Sequence, residues 1–87
     1  MVRRQLGRTG FAVSPIALGT TKLGRNTDVK YAAPFALPPD ERVAALLQSA
    51  RNLGVNLIDT APAYGESEQR LGLLTENQRD DIVLCTK

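Results

Sequence analysis

The chain has 87 residues, room for at most one small domain, and a chain of that size buries only about 60–65% of the surface its unfolded form exposes. Hydrophobic residues at 43% and charged residues at 23% argue against intrinsic disorder and against a membrane protein. The net charge of +2 comes from 11 basic and 9 acidic residues, and the basic ones are scattered except for Arg3, Arg4 and Arg8, so no nucleic-acid footprint is present.

Those three arginines read as a solvated terminal strand. The segment after Arg3-Arg4 is polar and lacks the apolar stretch of an export signal, and no membrane partner or span is indicated. The single cysteine, Cys85, has no internal disulfide partner and sits in an apolar run, where a buried, inert thiol is expected. A reducing cytoplasm suits it, and no metal is expected.

Along the chain, residues 3–14 read as two short extended pieces around the turn Gly7-Arg8-Thr9-Gly10, a hairpin that Pro15 ends. Ile16-Ala17-Leu18-Gly19-Thr20 reads as a strand covered on both faces, because it is nearly continuously apolar. The stretch from Gly24 to Pro38 has no clear period and is long for a loop. Its Tyr31 and Phe35 fit equally a substrate pocket or pins that hold the loop down.

A helix is expected from Pro39-Asp40-Glu41, a first-turn proline followed by two acids favoured by the helix dipole. Val43, Leu46, Leu47, Ala50 and Leu53 follow at helical spacing and predict one buried face, with Gly54 as the stop. Val55-Asn56-Leu57-Ile58-Asp59 is a second strand, giving a unit with the dimensions of a parallel βαβ. Ser67 is placed to cap a shorter helix through about Thr75, with Leu71 and Leu74 as its apolar contacts. After a polar stretch, Ile82-Val83-Leu84-Cys85-Thr86 is a third strand.

This alternation begins an α/β fold, either an open doubly wound sheet or a closed barrel of eight strands. No G-x-G-x-x-G follows the first strand, and Gly19 and Gly24 have the wrong spacing for one, which weighs against the open dinucleotide-binding sheet.

Side chains alternate along a strand, so Leu57 and Asp59 share one face and Val83, Cys85 and Lys87 share one face of the next. Asp59 and Lys87 stand one helix-plus-strand unit apart, and parallel neighbours would bring them together at the carboxyl ends, where α/β sites sit. Tyr64 lies in the loop that follows Asp59. A free phenol has a pKa of about 10 and is a poor acid near neutrality unless a cation stabilises its anion. Lys87 is the candidate cation and Asp59 the group that keeps it charged and oriented, a relay in which Tyr64 protonates a developing alkoxide. Taken singly, each of the three would be an ordinary loop, strand-end or surface residue; their joint placement carries the argument.

The run Leu57-Ile58-Asp59-Thr60-Ala61-Pro62-Ala63-Tyr64-Gly65-Glu66-Ser67-Glu68 resembles the signature of the aldo-keto reductases. The likeness extends through Leu6-Gly7-Arg8-Thr9-Gly10, Val13-Ser14, Leu18-Gly19-Thr20, Leu71-Gly72 and Thr86-Lys87, leaving out the loop from Arg25 to Leu37. It implies an α/β fold of the (β/α)8 TIM barrel type, of which residues 1–87 supply the N-terminal part of a single NADP(H)-dependent oxidoreductase domain: the hairpin and the first three strands. It further implies hydride transfer between a nicotinamide and a small aldehyde or ketone, with a tyrosine as proton donor.

On that resemblance Asp59, Tyr64 and Lys87 are the catalytic set, and Gly19, Thr20, Thr21 and Asp59 approach the cofactor. Thr21 departs from the aromatic residue common there in relatives. The family's catalytic histidine has no counterpart, since the chain has no histidine. The remainder of the barrel is therefore expected to be required, and the 87-residue piece alone is expected to be inactive and poorly soluble. The alternative expectation is a regulatory barrel that binds NADP(H) without turnover, as in potassium-channel β-subunits.

Overall fold

A computed structural model describes residues 1–24 and 36–87. The loop reading over residues 24–38, with Tyr31 and Phe35, falls largely on positions outside the described residues, as does the side chain of Leu74.

Strands β1 (Arg4–Gln5) and β2 (Ala12–Val13) form the expected antiparallel hairpin. Strands β3 (Ala17–Gly19), β4 (Leu57–Asp59) and β5 (Val83–Cys85) form a parallel sheet in that order. Helix α1 (Thr21–Gly24) follows β3, α2 (Asp40–Asn52) leads to β4, and α3 (Ser67–Leu74) with a 3-10 helix (Glu76–Asp81) leads to β5. The 3-10 turn occupies the polar stretch that sequence reasoning left as a connection. Gly54 ends α2 with φ of 92°, a left-handed conformation that glycine adopts without a Cβ penalty.

The parallel register pairs Leu18 with Ile58 and Ile58 with Leu84, so all three side chains project to the face covered by α2 and α3. There Ile58 packs with Leu23, Val43, Leu47, Leu71 and Ile82, and Leu18 and Leu84 border the cluster. Burying each of the large aliphatic side chains contributes about 1.5–3 kcal/mol, and this cluster is the main apolar source of stability.

Two expectations about coverage are corrected. Strand β3 is covered on one face only: Leu18 packs against the core cluster, whereas Ala17 and Gly19 on the opposite face are exposed. Cys85 lies on the uncovered face of β5 and is exposed, not buried. The α2 stripe also divides. Val43 and Leu47 enter the core, whereas Leu46 and Leu53 are 43% and 70% exposed and border an apolar groove with Ile16, Leu18 and Val55.

The hairpin is bolted to the sheet by polar atoms. Buried Asn56 accepts from the Ser14 amide at 2.6 Å, donates from its own amide to Ser14 Oγ at 3.2 Å, and donates from Nδ2 to the Ala12 carbonyl at 2.9 Å. Each group withdrawn from water there has a partner, as burial requires.

Candidate active site

The last residues of the parallel ladder set the site. Gly19 pairs with Asp59, and Asp59 with Cys85. The Thr60 amide donates to the Cys85 carbonyl at 2.8 Å, which carries the ladder one step past the strand ends. Lys87, two residues beyond Cys85, regains the face of Asp59. Its Nζ donates to Asp59 Oδ1 at 3.1 Å and Oδ2 at 3.2 Å, and to Tyr64 Oη at 3.3 Å. The ammonium also stands 5.1 Å from the centre of the Tyr64 ring.

The three side chains proposed from spacing are thus brought together. The Lys87 ammonium is held above the ordinary lysine pKa, first by its hydrogen bond to Asp59 and then by that to Tyr64. Lysine and aspartate side chains are 59% and 36% exposed, so solvent screens the pair. The arrangement has a directional consequence: the phenol oxygen accepts from Lys87, so the phenol hydrogen is available to another acceptor.

The loop bearing Tyr64 is fixed by contacts the sequence did not announce. The Ser67 hydroxyl, expected as a helix cap, instead donates to the Thr20 carbonyl at 2.5 Å, and Glu66 occupies the cap position. Thr20 donates from both its amide and its hydroxyl to the Asp59 carbonyl, at 3.1 and 2.9 Å. Gly24 closes the knot: a Cβ there would stand 2.1 Å from Ser67 N and 2.6 Å from both Ser67 Oγ and the Tyr64 carbonyl.

Arg70 was also not singled out, since nothing in its spacing distinguishes it from a surface arginine. Its guanidinium donates to the carbonyls of Leu23 and Pro38, both at 2.6 Å, and pairs with Asp40 at 2.9 Å. It joins the end of α1 and the start of α2 to α3.

The residues expected near the cofactor divide by environment. Gly19 is exposed at the end of β3 with open space where a Cβ would stand, beside Asp59 in register. Thr21 is half-buried at the start of α1. Thr20 is fully buried and its hydroxyl is committed to Asp59, so its part is to hold the strand end.

A carboxylate, an ammonium and a phenol are thus gathered at the carboxyl ends of parallel strands, the end at which barrel enzymes carry their sites. The sequence matches the Aldo/keto reductase family over residues 15–87, and the chain belongs to that family. A crystal structure from Pseudomonas aeruginosa, assigned as an aldo-keto reductase, superposes with a TM-score of 0.84 at 55% identity, covering 97% of this chain and 32% of that one. The 6-dehydroglucose reductase of Novosphingobium aromaticivorans is 35% identical over 95 residues, 97% of this chain and 28% of that protein. An Oryza sativa protein named as a voltage-gated potassium channel β-subunit is 34% identical over 93 residues, 100% of this chain and 25% of that protein. The chain thus spans between 25% and 32% of the length of these relatives. Hairpin and parallel strands are those of the (β/α)8 barrel expected from sequence. Among the described residues, no helix is long and apolar enough to cross a membrane.

Proposed function

We propose that the protein carrying this chain is an NADP(H)-dependent aldo-keto reductase that interconverts a small aldehyde or ketone and its alcohol, with Tyr64 as proton donor. One observation carries this reading: Lys87 Nζ lies within hydrogen-bond distance of Asp59 and Tyr64 Oη together. Gly19 and Asp59 would hold the nicotinamide side of the cofactor, with Thr21 at the rim and Thr20 bracing Asp59 from behind. When bound, the nicotinamide supplies or accepts the hydride.

The residues handle the proton. In reduction, the carbonyl oxygen gains charge as its carbon accepts hydride. The Tyr64 O–H, not engaged with Lys87, is free to donate to that oxygen; its proton moves as the alkoxide forms. The phenolate left behind faces an ammonium already in place, and no side chain need travel to meet the new charge. Asp59 keeps the ammonium protonated and aimed. In oxidation the same proton returns to the tyrosine.

Residues 1–87 serve in this reading as part of a single barrel domain whose remaining strands complete the substrate pocket. Acting in the cytoplasm is part of the same proposal. The test is steady-state reduction of a generic aldehyde by the full-length protein with NADPH. Tyr64→Phe is expected to reduce kcat by about 100-fold or more while leaving NADPH binding within about twofold; equal turnover by Tyr64→Phe would refute the assignment.

A regulatory reading draws on the rice relative's name as a channel β-subunit. Tight NADPH binding by the unaltered full-length protein, with no turnover across a panel of aldehydes and ketones, would favour it.

A further inference from the structure

Strand β5 ends at Cys85, and the bond from the Thr60 amide to the Cys85 carbonyl is the last contact of the ladder. Thr86 and Lys87 run past it. Lys87 carries its charge on a long exposed stem, and such a chain loses substantial rotamer freedom when held in one geometry. Asp59 attracts the ammonium as a full charge. Tyr64 offers only a neutral oxygen at 3.3 Å, the longest of the three Lys87 contacts, so this contact depends most on where the Lys87 backbone stands.

Thr86 has a tie of its own. Its hydroxyl donates to Glu68 Oε2 at 2.5 Å, and Glu68 lies in the first turn of α3, directly after the loop that bears Tyr64. The bond therefore links the chain segment before the lysine to the one after the tyrosine. Hydroxyl-to-carboxylate bonds belong to the stronger, charge-assisted class. Both residues are exposed, so removing either leaves no buried group without a partner.

We propose that Glu68 is a positioning residue that holds the Lys87 ammonium against the Tyr64 phenol by gripping Thr86. This rests on the reading of Tyr64 as proton donor. Without the grip, the Thr86–Lys87 segment swings with its ammonium still paired to Asp59, and the longer contact, to the neutral phenol, is lost.

The experiment uses the full-length protein with NADPH and a generic aldehyde. Thr86→Val and Glu68→Ala are each expected to lower kcat about tenfold, with KM and NADPH affinity within about twofold. Thr86→Ser keeps the donor and is expected to stay within about twofold of the unaltered protein. The double variant should be no slower than either single one, because both remove the same bond. Unchanged kcat in either single variant, equal impairment of Thr86→Ser and Thr86→Val, or a loss confined to KM would each overturn the proposal. Tyr64→Phe, run alongside, separates the two claims: if it retains turnover, the proton-donor reading fails whatever the Glu68 variants do. A crystal structure of Thr86→Val supplies an arm independent of activity, and a Lys87–Tyr64 separation unchanged from 3.3 Å would overturn the proposal.

Discussion

Gly24→Ala is the substitution whose sign the structure decides most sharply. Gly24 ends α1, and its φ lies outside the left-handed range, so alanine suits the backbone there. By helix propensity alone the change would stabilise by about 0.5–1 kcal/mol. Space dictates the opposite. The new Cβ would meet Ser67 N at 2.1 Å, against a floor of 3.0 Å for real Cβ contacts, so something must withdraw by 0.9 Å. Two of the three obstructing atoms are backbone, the Ser67 amide and the Tyr64 carbonyl, and cannot rotate aside. Relief pushes the Tyr64 loop away from α1 and strains the bond from the Glu66 amide to the Gly24 carbonyl, now 3.1 Å. Overpacking of this kind costs about 1–3 kcal/mol, and misplacing a reacting group by about 1 Å can lower a rate by about 100-fold. Thermal unfolding and kcat of the full-length protein should both fall. An alanine variant as active as the parent, with an equal or higher Tm, would refute the contact and the reasoning built on it.

Asp59→Asn removes the principal cause of the raised Lys87 pKa, and the pH at which the ammonium loses its proton is expected to fall toward the ordinary lysine range, as followed by the alkaline limb of the rate profile. Because the folded value is raised, the pair's contribution to stability is fully present below the unfolded lysine pKa and is lost only as pH rises through the folded one; the variant should therefore differ little in stability pH dependence near neutrality. Asn56→Ala deletes the side-chain bonds to Ser14 and Ala12 in a buried setting and is expected to cost about 2–4 kcal/mol in denaturant unfolding of the full-length protein. Residues 1–87 expressed alone should elute as aggregates, and Leu53→Lys with Ile16→Lys should raise the soluble fraction by breaking the apolar groove; no change would show that the groove is not what drives association.

The strands and the two longer helices were legible because turn residues and apolar periods punctuate the chain within a residue or two of where these elements end, whereas the single turn α1 and the 3-10 helix carry no such period and were not foreseen. The meeting of Asp59, Tyr64 and Lys87 was legible for a different reason: alternation within strands and parallel pairing fix which side chains can meet, and Asp59 and Lys87 obey both. Coverage was not legible. Cys85 and the outer half of the α2 stripe look like core residues by composition, and no local pattern tells which faces other elements pack against. Ser67 was misread because a helix cap and a bond to a distant carbonyl use the same residue type, and Thr20 lies far from it in sequence. Gly24 was visible only as a spacing that failed one motif, since close approach by backbone leaves no chemical mark. Arg70 is a common helix residue until its three acceptors are brought to it by folding.

The pairing of Asp59 with Cys85 makes strand register decide which side chains meet at the strand ends. Slide β5 by one residue along β4 and every side chain on it changes face. The position beside the carboxylate and phenol would then pass to Thr86, a neutral hydroxyl, with the cation turned toward the helices. A sheet could form with nearly the same backbone hydrogen bonds and no means of supporting a phenolate. In the observed register Ile82 is buried in the core with Leu84 beside it, and the slide would turn both outward in exchange for Val83 and Cys85, so the packing that opposes the misalignment also keeps the cation beside the carboxylate.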